Sequence, residues 1–141
     1  MARRRLGLCL LGLLIAGAPW CCAVQARDFG QWMNEDPVIR EWYQSLMQPD
    51  NPAASCCGEA DAYWCDIVKT KHDHLGNPHN FCIITDRRPD MPRRRVHVDV
   101  GTEIEIPDHK MKRDQGNPTG HNVVFLSRGY AVYCFVMGTG L

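Results

Sequence analysis

Three groups of side chains in this sequence carry residue types that could do chemistry. Glu59 and Asp61 stand beside the adjacent cysteines Cys56 and Cys57, and His121 follows the turn-forming run Asn117-Pro118-Thr119-Gly120. A carboxylate that orients an imidazole makes either a proton-transferring pair or one wall of a polar ligand pocket. The plainer reading is a polar network that caps turns and holds the fold, because no nucleophile accompanies the three. A cysteine next to Glu59 is disfavoured as a thiolate, which weakens a cysteine-enzyme reading. The second group is His72, His74 and His79, where neutral imidazoles on one flexible loop could wrap Cu, Ni or Zn. Loops seldom supply the outer hydrogen bonds that hold such ligands, so a solvated hairpin tip without a cofactor is the simpler expectation. The third is an arginine group, Arg87, Arg88, Arg93, Arg94 and Arg95, interrupted by Asp86 and Asp90. Guanidinium groups suit phosphate and carboxylate partners. Arg93, Arg94 and Arg95 are therefore candidate contacts for lipid head groups, cell-wall carboxylates or an acidic protein, set against a solvated charged loop. The sequence has no Gly-rich phosphate loop, no Ser-His-Asp set in recognisable context and no Cys-x-x-Cys pair, which argues against a thioredoxin-like oxidoreductase.

The elements that must position these groups follow from periodicity. Asp36 and Pro37 read as N-cap and first residue of a helix over about 37–47, with Val38, Ile39, Trp42, Tyr43, Leu46 and Met47 on one face. That face is expected in the core, a ligand groove being the alternative. Residues 27–34 read as a mobile leader into it. Strands are expected at about 63–71, 80–85, 95–100, 103–106, 123–127 and 130–136. The fold class expected is mainly β with one N-terminal amphipathic helix (α+β), as a small curled antiparallel sheet or partly open barrel stabilised by disulfides.

Residues 1–26 read as a secretory signal, with Arg3, Arg4 and Arg5 before the apolar run 6–18 and a cleavage site after Ala26. That run is short for a membrane span, which needs ~20 apolar residues, so no span is expected after its removal. Cys21 and Cys22 lack the small preceding residue a lipid-attachment site wants. Cleavage would leave 115 residues as a single domain of formal charge −3. An acidic balance makes nucleic acid an unexpected partner. Location is then periplasmic or secreted, where cysteines form disulfides.

Five of the eight cysteines lie after residue 26: Cys56, Cys57, Cys65, Cys82 and Cys134. Folding the hairpin about Asp73 and His74 puts Cys65 opposite Cys82, and a cross-strand bridge there is worth roughly 3 kcal/mol in the chain-entropy model. Cys134 is left to pair with Cys57 or, alternatively, Cys56.

The run Ser55-Cys56-Cys57-Gly58-Glu59-Ala60-Asp61-Ala62-Tyr63, the run Gly116 to His121 and the closing Val132-Tyr133-Cys134 resemble motifs of a family of short exported proteins in soil and root-associated alphaproteobacteria. The resemblance extends to Ile83-Ile84-Thr85-Asp86 and Val100-Gly101-Thr102, and so spans most of the chain after residue 26. It implies export and a shared fold, and carries no activity. It also implies that Cys65 and Cys82 are an added pair in this chain, and it breaks down at Phe135-Val136-Met137, where the family pattern has proline after the valine. The function expected is a non-enzymatic binding or structural module of the cell envelope. The alternatives are a metal-binding or thiol-redox protein and, behind it, a small hydrolase.

Overall fold

The structure, a computed structural model, describes residues 32–91, 94–113 and 116–138. The expected signal over 1–26 and the candidate contact Arg93 lie outside the described residues. Helix α1 spans Pro37–Ser45, and the Asp36 side chain accepts from the Val38 N–H at 2.8 Å, as the cap reading requires. The expected apolar face is only partly buried: Tyr43 and Leu46 are enclosed, while Val38 lies in solvent. Upstream, Trp32 is buried against Tyr43, with ring centroids 4.7 Å apart, so the expected mobile leader is anchored there.

Among the described residues seven strands follow: β1 Ala60–Trp64, β2 Ile67–His72, β3 Pro78–Ile83, β4 Glu103–Ile106, β5 Met111–Lys112, β6 Val123–Ser127 and β7 Val132–Val136. They form two sheets that do not close into a barrel. One is four-stranded, in the order β1-β6-β7-β5 with β5 parallel to β7; the other is three-stranded, β2-β3-β4. The four-stranded sheet is the middle layer. Val123, Phe125, Cys134 and Val136 face a cluster with Trp32, Tyr43 and Leu46 on the helix side. Val124, Leu126 and Phe135 face Cys82, Ile104 and Ile106 of the other sheet. Burial on both faces explains why β6 reads as an unbroken apolar run rather than an alternating one.

Two strand expectations need correction. The run 63–71 is not one strand: it breaks at Cys65 and Asp66, where the chain leaves the first sheet and enters the second. The run 95–100 pairs in no ladder; Val96 is instead held by the Asp61 and Tyr63 side chains of β1. The hairpin register also differs. Asp73 accepts from the Leu75 and Asn77 N–H groups at 2.8 and 2.9 Å, and Gly76 sits at φ 84°. This turn centres the hairpin on Leu75, so Cys82 lies opposite Val68 rather than Cys65.

The bridge to the chain end joins Cys56, the alternative partner, to Cys134. Leu46 O accepts from the Cys56 N–H at 2.9 Å, closing the loop that brings both adjacent cysteines under the helix. Cys57 keeps its thiol and donates to Tyr43 O at 2.7 Å, and Cys65 and Cys82 also stand as thiols, so the expected cross-strand bridge between them is not closed in the structure.

Candidate functional site

Strand β1 is an edge of its sheet among the described residues, and its outward backbone groups need partners that no described strand provides. Charged side chains from the loop after β3 take that place. Ala62 O accepts from the Arg88 and Arg95 guanidinium groups, each at 3.3 Å, and the Trp64 N–H donates to Asp86 at 3.3 Å. Asp86 is the centre of the arrangement. Its carboxylate, wholly enclosed, accepts from the Arg88 N–H at 2.9 Å, from Arg88 Nε at 3.0 Å and Nη2 at 2.7 Å, and from Arg95 Nη1. Arg95 further donates to Asp90 at 2.9 Å, and Arg88 reaches Glu35 at 3.5 Å. The guanidinium groups also stack, Arg88 over Trp64 at 4.1 Å and Arg95 over Tyr63 at 4.9 Å. Burial pulls the Asp86 pKa upward, but the hydrogen bonds from Arg88 and Arg95 outweigh it and hold the carboxyl well below its usual range.

Against this anchored base lies a pocket of about 290 Å3, lined by Asp86, Arg87, Arg88, Asp90, Arg95 and His97 among others. Hydrogen bonds to Asp90 at 2.7 Å and Asp99 at 3.1 Å raise the His97 pKa, favouring the imidazolium. The cations Arg88, Arg95 and His97 are paired there with Glu35, Asp86, Asp90 and Asp99, while Arg87 lies exposed at the rim. Tyr63 Oη and Asp61 grip Val96 from beneath, and Tyr130 Oη donates to His97 O at 3.4 Å. Arg94 and Tyr130, on either side of this segment, both adopt left-handed backbone, at φ 56° and 63°. For a non-glycine residue such a conformation persists only where its surroundings impose it.

The expected trio of Glu59, Asp61 and His121 is not brought together. Asp61 turns toward Val96, where burial raises its pKa against the opposing Val96 N–H and Arg95. His121 stacks on Trp64 at 3.9 Å; Trp64 lies one odd step from Tyr63 and Asp61 along β1 and so on its opposite face. Glu59 is exposed, beside Ser127, Arg128 and Tyr133 in a separate pocket of about 390 Å3. The carboxylate that does orient His121 is Asp66, at 2.8 Å from Nδ1, itself held by Thr85 Oγ1 and the Asn122 N–H at 3.0 Å each. Nothing in the sequence singles Asp66 out, since it lies inside what reads as one long strand.

The other candidates are placed as follows. Arg95 belongs to the buried network and cannot offer a free guanidinium, whereas Arg94 is exposed. His72 and His74 are exposed on the hairpin, and His79 Nδ1 lies 2.7 Å from Glu105, an interaction that raises its pKa. Among the described residues, no group of three or more His, Cys, Asp or Glu is arranged to hold a metal ion, and no helix is long and apolar enough to cross a membrane.

No protein-family model, curated protein or solved structure matches this chain.

Proposed function

We propose that the chain is a non-enzymatic binding module of the cell envelope, and that the pocket between Arg87 and His97 receives an acidic group of its partner. The observation that carries this reading is the division of labour among the arginines. Asp86 holds Arg88 and Arg95 as an anchored base, and Arg87 stands exposed at the rim. A partner carboxylate or phosphate would meet Arg87 on a backbone already fixed by that base, which lowers the ordering cost of binding. The signal-type N-terminus and the resemblance to exported proteins support an envelope location.

The test is co-sedimentation with isolated envelope material, and with anionic or zwitterionic vesicles, for the wild-type chain and an Arg87→Ser/Arg94→Ser variant. The expected result is retention that weakens with salt and falls several-fold in the variant, because exposed charge is screened beyond about 8–10 Å. Equal recovery of both forms would remove the pocket from the account. Retention on the vesicles would assign the acidic group to lipid, and retention on envelope material alone to a polymer or protein.

A further inference from the structure

We propose that Cys65 and Cys82 close a second disulfide, which fastens the two sheets to each other. Both residues are wholly enclosed in the cluster between the sheets. Both stand as thiols in that one cluster, and hydrogen bonding with Cys82 is among the causes that raise the Cys65 pKa. They reach each other from different layers. The Cys65 N–H donates to Asn122 O at 2.9 Å, which ties that residue to the end of β1 and the start of β6. Cys82 lies inside β3, between Val68 and Ile104 on its neighbours. Cys65 sits where the chain crosses from one sheet to the other, one residue beyond β1 and two before β2, so it belongs to the junction of the two layers. The first cluster already has its link, Cys56 to Cys134. The second would then have its own.

The chemistry is thiol–disulfide exchange with a low-molecular-weight or protein disulfide. One cysteine, as its thiolate, attacks that disulfide and releases one thiol. The other attacks the mixed disulfide and releases the second thiol. Two S–H bonds are lost, one S–S bond forms, and the donor disulfide takes up the two electrons and ends as two thiols. In the folded chain both sulfurs are enclosed, and burial together with the Cys82 contact pushes the Cys65 thiol up. Exchange therefore belongs to folding, before the layers close, and the finished bond resists reductants until the chain opens.

The test is a disulfide map of the full chain, produced with its own leader in a host that exports into an oxidising compartment. The protein is unfolded in denaturant with an alkylating reagent and no reductant, and only molecules carrying the Cys56–Cys134 link are read. The expected map shows Cys65 joined to Cys82 and label at Cys57. Label at both Cys65 and Cys82, or a link from either to Cys57, would overturn the proposal. In a Cys82→Ala variant the label is expected at Cys65 with Cys56–Cys134 retained. Should that variant fail to accumulate, the wild-type map decides alone.

Discussion

The molecule has two strands at sheet edges on the side where the chain crosses between its layers, and they are treated in opposite ways. The outer edge of β1 is covered: Arg88 and Arg95 bond its carbonyl at Ala62, Asp86 receives its N–H at Trp64, and all three charges are withdrawn from solvent. Among the described residues no element covers the outer edge of β2, and all six of its residues are exposed. Its protection is the weaker kind that charge provides, Lys69 and Lys71 reaching across to Glu103. The contrast teaches that the same ion-pair chemistry has different consequences in the two places. Buried, it replaces a missing strand and fixes the pocket. Exposed, it keeps an edge soluble and contributes little to stability.

The largest expected effect breaks the covered edge. Asp86→Ala leaves two buried guanidinium groups without their shared carboxylate and should cost about 3–5 kcal/mol, read by urea denaturation of purified protein. The same carboxylate sets the response to acid. Its pKa is depressed in the folded chain, so its stabilisation is fully present above the ordinary carboxylate range and is lost as pH falls through the lower folded value. Unfolding measured from neutral pH into strong acid should therefore show a slope that the Asp86→Asn variant lacks.

Smaller effects are expected on the bare side. Gly76→Ala forces a Cβ into left-handed backbone in the turn joining β2 to β3 and should cost on the order of 1 kcal/mol. Lys71→Ala removes an exposed pair and should leave the urea midpoint nearly unchanged, with any effect diminishing in salt. A loss from Lys71→Ala as large as that from Asp86→Ala would erase the distinction between the two edges.

How much of this was legible in the sequence depends on the range of the forces involved. The Asp36-Pro37 helix start, the alternation of Glu103 to Ile106 and the apolar run of β6 are local patterns, and they hold; the approach of Cys134 to the adjacent cysteines, across 78 residues, was legible only by counting thiols. The Asp73 turn was visible as a turn, but its centre was misplaced, because the side-chain bonds of Asp73 and the left-handed Gly76 set the register rather than symmetry about the loop. Asp86 read only as a charge diluting an arginine-rich loop. Its meaning comes from the unpaired edge of β1, some twenty residues earlier in the chain, and composition carries no trace of that proximity. Asp66 was hidden for the same reason. Its partners Thr85 and His121 arrive from other elements.

The central claim is that Asp86 completes the edge of β1, and amide hydrogen exchange at Trp64 tests it most directly. The Tyr63 N–H, which faces β6 by strand alternation, serves as the internal reference. In the wild-type chain the Trp64 amide should exchange about as slowly as Tyr63, and in Asp86→Asn it should exchange far faster while Tyr63 stays protected. A Trp64 amide that exchanges freely in the wild-type chain, or one indifferent to the substitution, would contradict the account.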